Sequence, residues 1–583
     1  MPRFKVSDYL VRYLAAQGVT HAYELAGGML AHILDSFAKQ SSVKLVSMHH
    51  EQGAGFAAEG SARIDGAPGV AFATSGPGAT NLLTPMGSCY FDSTPAVFIT
   101  GQVNRHELRG ERPVRQLGFQ ETDIVAMARP ITKAAIQVMA PEDVPGALDR
   151  AFDLAVGGRP GPVLIDLPMD VQRIEMEFPE PGRRGRPVPN GRSIAGRDIE
   201  AVLAALGTAR RPLVLVGGGV RSGLAADSFR RAVARIGVPV VHSLLGVDAL
   251  GADDPLRVGL IGSYGNRWAN HALAECDFLL VVGSRLDIRQ TGTDTDGFAS
   301  RQIIQVDIDG GEMNNRVRGV HPVVAQAADF CEALASTPRP SGDYGDWKRH
   351  IASLRERWPD TQELKGLPGF NPNVVLRQLG RESLLASAFV IDVGQHQMWA
   401  AQSLCVGAEQ RFLTSGGMGS MGFALPAAIG AAFAAPSKPV VVVAGDGGFQ
   451  LNIQELQTIV RNRLPIKMVV LNNHAHGMVR QFQESYFESR YQSTVDGYDT
   501  PDFSKVASAY GIEAWRIDGA GQDATAQARA LAGAIDRLWR DPASPSLLEV
   551  EIPMSANAYP KLAFGRGIAE MEPEARPLDM EGT

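Results

Sequence analysis

The chain reads as an α/β protein of three domains, each a doubly wound parallel sheet, and three observations predict this. Short apolar, β-branched runs of the buried parallel-strand type alternate with helical stretches along its whole length. At 583 residues it is too long for one core, and at roughly 150 residues per domain it predicts three to four domains. Two breaks rich in Pro and Gly, 179–190 and 337–345, leave segments of similar size at 1–178, 191–336 and 346–583.

The first segment opens on an amphipathic helix that starts near Ser7 and Asp8, with neither a signal nor a transit pattern before it. Further on, the strand-like run 43–48 leads into His49-His50-Glu51-Gln52 and a helix rich in small residues. A Glu in the first turn of a helix is favoured by the macrodipole, so Glu51 alone can be read as a capping acid. Glu59, eight residues on, reads as a solvated or capping group.

The middle segment has three strand-like runs, 213–216, 278–282 and 303–306, which end in Gly or Asp. Strand ends of that type line the crevice where dinucleotides bind, although no GxGxxG is present and an empty structural domain stays open.

The third segment is the most informative. The strand 388–391 runs into Asp392-Val393-Gly394-Gln395-His396, and a glycine-studded stretch follows at 415–430. Next, the strand-like run 439–445 ends in Gly445-Asp446-Gly447, and 24 residues later comes Asn472-Asn473 at the end of a second run, 466–471. Helical spacing over 453–463 makes this a βαβ unit, whose right-handed crossover brings both strand ends to one edge of the sheet. Asp446 and Asn473 then offer hard oxygen ligands suited to Mg²⁺, and Gly447 and Gly448 leave space for a phosphate at the helix start. A crossover whose acid and amides merely cap turns would share this spacing. By the same standard His396 alone would be a structural histidine and Met421 alone a core filler.

Taken together and in order, these segments resemble thiamine diphosphate (ThDP) enzymes, and nearly the whole chain is similar to the acetolactate (acetohydroxyacid) synthases. Also similar are Ser75-Gly76-Pro77-Gly78-Ala79-Thr80-Asn81, Gly118-Phe119-Gln120-Glu121, Gly161-Pro162-Val163 and Asp253-Asp254-Pro255-Leu256. The resemblance implies pyrimidine-binding, central and diphosphate-binding domains in that order. It implies that Glu51 hydrogen-bonds the cofactor pyrimidine so that the 4′-nitrogen can remove the thiazolium C2 proton. Met421 would be the wedge that bends the cofactor and Gly419 the carbonyl facing its amino group. Gln395, His396, Gly445, Gly447 and Gly448 would surround the diphosphate, with Asp446, Asn473 and the main chain of Ala475 as Mg²⁺ ligands. In the middle segment it implies a largely structural FAD near Gly217, Gly218, Gly262, Arg285, Asp287 and Asp307, although Ser263-Tyr264-Gly265-Asn266 departs from the usual Met-His-Gly-Thr.

The same resemblance points to carboligation. The His-His pair that simple decarboxylases carry after the second third of the first domain is missing from Gln102-Val103-Asn104-Arg105-His106-Glu107. Arg289 matches the arginine that holds a substrate carboxylate, and Lys133, Phe119 and Gln120 match pocket residues. The substrates implied are a 2-oxo acid, pyruvate foremost, and a carbonyl acceptor. Met29 and Phe482 stand where synthases usually carry Ala and Trp, which keeps open a carboligase of branched-chain sugar biosynthesis acting on a nucleotide-linked keto-sugar. A non-catalytic ThDP- or FAD-binding homologue is the reading of another class.

The net charge of −7 with interspersed signs gives no case for nucleic acid. No apolar run reaches membrane-spanning length, so a cytoplasmic protein without a membrane partner is expected. Cys89, Cys276, Cys331 and Cys405 lack metal or disulfide spacing. The resemblance implies a homodimer or homotetramer, because the family joins the glutamate of one subunit to the diphosphate site of another.

Overall fold

The structure, a computed structural model, describes residues 2–40, 42–183, 194–340, 342–578 and 580. Most of the expected break at 179–190 lies outside the described residues. Three six-stranded sheets organise the chain. The first takes His21–Glu24, Lys44–Ser47, Gly69–Ala73, Ala96–Gln102, Ala134–Gln137 and Pro162–Pro168, all parallel. With strands numbered by chain order, its spatial order is 2-1-3-4-6-5.

The middle sheet takes Pro212–Val216, Val240–His242, Arg257–Leu260, Phe278–Val282, Gln302–Asp307 and His321–Val324, in the order 3-2-1-4-5-6. These strands are also parallel throughout, in the strand order of dinucleotide-binding folds. The third sheet takes Ala388–Ile391, Arg411–Thr414, Val440–Gly445, Ile466–Asn472, Glu513–Asp518 and Ser546–Glu551. It repeats the order 2-1-3-4-6-5 of the first and is parallel.

Val440–Gly445 and Ile466–Asn472 are buried at every position, as β-branched runs covered by helices on both faces should be. The expected helix over 453–463 forms as a 3₁₀ turn, Ile453–Glu455, and then an α-helix, Leu456–Asn462. One packing boundary differs from the composition break. Helix Gly345–Arg357 buries Trp347, Ile351 and Leu354 in the core of the middle sheet, where the Tyr344 hydroxyl donates to the Leu206 carbonyl at 2.9 Å. Its apolar stripe therefore closes the middle domain instead of opening the third.

The chain forms two compact units. One is Met1–Asn190 with Ser415–Val440 and Leu451–Ile466; the other is Gly191–Thr414 with Val441–Gln450 and Lys467–Thr583. Within the first unit, helices Glu51–Asp65 and Ala424–Ala434 cross at small residues. A Cβ on Gly60 would overlap the Ala427 carbonyl, and one on Gly430 the Ala57 carbonyl, so both glycines are required by close backbone approach.

Candidate active site

In the first unit, Glu51 is the first residue of its helix and only 7% exposed. The preceding His50 caps the helix, its Nδ1 accepting from Gln52 N at 2.9 Å. The Asn81 side chain donates to Glu51 Oε2 at 2.9 Å, and Gly78 lies so close that an added Cβ would stand 3.1 Å from Oε1. Glu455 steadies the entry turn by accepting from His49 N at 2.9 Å, and burial raises its carboxyl. Glu59 corrects the sequence reading: it is fully buried, not solvated, and pairs with Arg63 at 2.5 Å. Burial pushes its carboxyl up to about 7.

Arg63 also reaches Asp92 at 2.6 Å, and the two oxygens of Asp92 accept the main-chain N–H groups of Gly416 and Gly417 at 2.9 and 2.7 Å. This buried ion cluster anchors the stretch that carries Gly419 and Met421. Gly419 has φ +68° and no neighbour crowds it, so its glycine serves backbone conformation. Met421 is half-buried.

Gln120 adopts φ +64°, a left-handed conformation uncommon outside glycine and typical of constrained functional loops. Its neighbour Phe119 is 78% exposed. The Lys133 ammonium donates to the carbonyls of Gly157 and Arg159, the latter at 2.7 Å. Those bonds give it a structural task apart from the expected pocket.

In the second unit, the ends of neighbouring strands bring Asp446, Asn473 and Ala475 together, all nearly buried. Asp446 Oδ2 accepts from Ala475 N at 3.1 Å, and the Gly447 N–H and the Tyr498 hydroxyl lie close enough to favour its charged form. Burial outweighs these donors and pushes Asp446 up to about 6. The Asn473 amide nitrogen donates to Gln395 Oε1 at 3.2 Å, and its oxygen, which accepts from Ala475 N at 3.3 Å, keeps a second lone pair for a ligand.

Gln395 in turn donates to Gln481 Oε1 at 3.0 Å, and that oxygen also accepts from Ala558 N at 2.8 Å. Its amide is thus part of a relay, a different use from the expected phosphate contact. His396 is fully buried, and burial drops its imidazole to about 3, so the ring is neutral near pH 7. Its Nε2 has no hydrogen-bond partner among the described residues, which is costly unless a ligand supplies one.

Gly445 makes room for the His396 ring, and Gly448 for the Asp392 carboxylate, whose Oδ1 would lie 2.5 Å from an added Cβ. Gly448 therefore accommodates a side chain where the sequence suggested a phosphate. Phe482 is half-buried, its ring 4.8 Å from that of Tyr486. Arg289 is exposed, and among the described residues no carboxylate pairs with its guanidinium.

An orphaned imidazole nitrogen, a buried carboxylate and an oriented amide oxygen fit a magnesium diphosphate. Sequence reasoning missed Asn81 as the partner of Glu51, and missed Tyr498 and the Asp92–Arg63–Glu59 cluster. None of these contacts carries a spacing signal; Asn81 and Glu59 were named in the sequence, but without these partners.

The middle sheet's candidates gather at strand ends on either side of its switch point. A Cβ on Gly217 would overlap the Gly283 carbonyl, and one on Gly262 the Arg289 carbonyl. Gly218 stands against Leu245, whose Cβ would be 2.9 Å from its own. Asp287 accepts the N–H groups of Arg289 and Gln290 and lies 3.5 Å from Arg285, while Asp307 accepts from Asp309 N at 3.0 Å. Each of these residues thus has a task within the protein itself.

Comparison with known proteins agrees with this geometry. Family models match at 4–127 (thiamine pyrophosphate enzyme, N-terminal TPP binding domain), 199–334 (central domain) and 392–550 (C-terminal TPP binding domain). The chain is 38% identical over 565 residues to the acetolactate synthase isozyme 2 large subunit of Escherichia coli (strain K12), covering 97% of this chain and 98% of that protein. It is 34% identical over 566 residues to the acetolactate synthase large subunit of Lactococcus lactis subsp. lactis (strain IL1403), covering 97% and 95%. The Corynebacterium glutamicum large subunit is 38% identical over 519 residues, covering 87% and 82%. With all three domain models matched in order and relatives aligned from end to end, the chain belongs to the thiamine pyrophosphate enzymes, in the company of the acetolactate synthases.

Proposed function

We propose that this enzyme decarboxylates a 2-oxo acid, pyruvate foremost, and transfers the remaining two-carbon unit to a carbonyl acceptor. The observation that carries the reading is the cluster of Asp446, Asn473 and the unpartnered His396 nitrogen, set at the strand ends of a domain matched as TPP-binding. When bound, thiamine diphosphate supplies a carbon that adds to the oxo group and accepts the electrons left by departing carbon dioxide.

Asp446, Asn473 and the Ala475 carbonyl would hold Mg²⁺, and His396 would meet the diphosphate. Glu51, oriented by Asn81, would exchange a proton with the pyrimidine ring. Gly419, Met421, Phe119 and Gln120 would shape the reacting end. Arg289 would hold a substrate carboxylate with its unpaired guanidinium, and Phe482 would line the acceptor pocket. Lys133 is left out of this assignment because carbonyls already bind its ammonium. By the resemblance, in which the glutamate of one subunit joins the diphosphate site of another, the enzyme is at least a homodimer, and gel filtration with light scattering tests that.

A keto-sugar acceptor is the second reading, favoured by Phe482 where the synthases carry a larger ring. Purified enzyme given labelled pyruvate, ThDP and Mg²⁺, with and without 2-oxobutyrate or a nucleotide-linked keto-sugar, decides between them by product identification. Absence of labelled carbon dioxide and of any ligation product overturns both.

We extend the proposal to FAD in the middle domain, on the strength of its strand order and the resemblance. The domain's own residues are self-sufficient, and no chemical step is assigned to a flavin. A yellow protein releasing FAD on denaturation supports it; a colourless protein whose stability ignores added FAD refutes it.

A further inference from the structure

Between the proposed metal ligands Asn473 and Ala475 stands a single residue, His474, whose φ of +53° puts it in the left-handed region. The bend sets the Ala475 N–H between two ligand oxygens, 3.1 Å from Asp446 Oδ2 and 3.3 Å from Asn473 Oδ1. A glycine would take such a bend freely, whereas a side chain there must be held by its surroundings.

His474 is held at three points. Its N–H donates to Asn472 Oδ1 at 3.1 Å, its Nε2 lies 2.8 Å from Glu551 Oε2, and its Nδ1 lies 2.8 Å from Thr500 Oγ1. A carboxylate only accepts, so Nε2 carries the hydrogen, and the Thr500 hydroxyl can donate to Nδ1. Glu551 is fixed in its turn: it ends the strand Ser546–Glu551, pairs with Arg516 at 2.9 Å, and stands opposite Asn472 in the parallel register. Two residues earlier on the same face, the fully buried Glu549 accepts from Asn472 Nδ2 at 2.9 Å and from Ser504 N at 3.1 Å. Alternate carboxylates of one strand thus grip alternate residues of the turn, Asn472 and His474.

We propose that His474 is a positioning residue for the metal site: its imidazole, braced between Glu551 and Thr500, fixes the bend that sets Asn473 and the Ala475 carbonyl on one cation. This rests on the assignment of Asn473 and Ala475 as metal ligands. All three anchors of His474 lie outside the ligand set, so the ring acts on the cation through the backbone. Without it the turn keeps every ligand and loses the restraint that spaces them.

Two variants of the full chain test this. His474→Gly removes the ring but permits the bend, and Thr500→Val removes one brace while keeping the shape of the side chain. Mg²⁺ is titrated by calorimetry at fixed ThDP, and Mn²⁺ bound in its place is examined by electron paramagnetic resonance. The expected result is an apparent Mg²⁺ affinity weaker by about tenfold in His474→Gly and about threefold in Thr500→Val, each with a broadened Mn²⁺ spectrum, and restoration in Thr500→Ser. Affinity within about twofold of the parent and an unaltered Mn²⁺ spectrum in His474→Gly overturn the proposal, because the bend alone then suffices. Should that variant not fold, the same result in Thr500→Val overturns it. Asn473→Ala, run alongside, separates the two claims: if it binds Mg²⁺ as the parent does, the metal assignment itself fails.

Discussion

Asp446→Asn should make the metal-free protein more stable while destroying its use of Mg²⁺. Burial raises the Asp446 carboxyl from its ordinary 3.8 to about 6. That rise corresponds to about 3 kcal/mol. The raised value means the folded state keeps its proton while the unfolded chain has lost it. The stabilising contribution is therefore fully present below pH 4, fades as pH rises through 6, and leaves the whole cost at pH 7.

An isosteric amide carries no charge to desolvate, although it also forgoes the charge-assisted bond from Ala475 N, so 3 kcal/mol is an upper bound. For a domain of roughly 200 residues this is a rise in melting temperature of up to about 5–10 °C at pH 7, shrinking toward zero near pH 4. Saturating Mg²⁺ and ThDP should reverse the order, because only the parent gains a bound cation. Differential scanning calorimetry with chelator at pH 5, 6 and 7, and again with cofactor, measures all of this. A metal-free variant that melts below the parent at pH 7, or a gap that does not narrow on acidification, refutes the reasoning.

Glu51→Gln should leave Mg²⁺-dependent ThDP binding within a few-fold of the parent while lowering turnover by about 10²–10⁴, and near-normal kcat would remove Glu51 from proton transfer. Phe482→Trp should shift the acceptor preference toward 2-oxobutyrate over pyruvate roughly tenfold, which one methylene of extra contact can supply. An unaltered ratio in mixed-acceptor competition would show that Phe482 lies off the acceptor path. Gly430→Ala forces a methyl against the Ala57 carbonyl and should cost about 1–3 kcal/mol of overpacking, seen as a lower melting temperature; an unchanged melt would mean the helix crossing is looser than it stands.

The sheets were legible because most of the buried strands are continuous apolar runs, and the proposed metal ligands because they follow such runs directly. Asp446 and Asn473 needed only the handedness of one crossover to be brought together. What stayed hidden depends on contacts between residues far apart in the chain. Glu59 looks solvated in a helix of small residues, and only the fold shows Arg63 and Asp92 beside it. Lys133 carries no mark of the carbonyls at Gly157 and Arg159 that occupy its ammonium. Tyr498 is brought near Asp446 by a loop without periodicity, the two sharing Gln450 Nε2 as a neighbour. Helix 345–357 follows a Pro/Gly break, yet its stripe of Trp347, Ile351 and Leu354 belongs to the preceding core.

The first and third sheets share one strand order, 2-1-3-4-6-5, although their sequences show no repeat. Equivalent loops consequently carry the candidate residues: Glu51 and the 416–421 stretch each follow the second strand of their sheet, and Gly78 and Asp446 each follow the third. One backbone plan, used twice, has been given two vocabularies. The loops of the first sheet carry an acid and small residues suited to a heteroaromatic ring, and those of the third carry oxygen ligands and an imidazole suited to a charged tail. On the proposed assignment the diphosphate and metal ligands sit in loops of one sheet and the proton-exchanging acid in a loop of another, so drift around Glu51 would alter reactivity while leaving Asp446 and Asn473 in place.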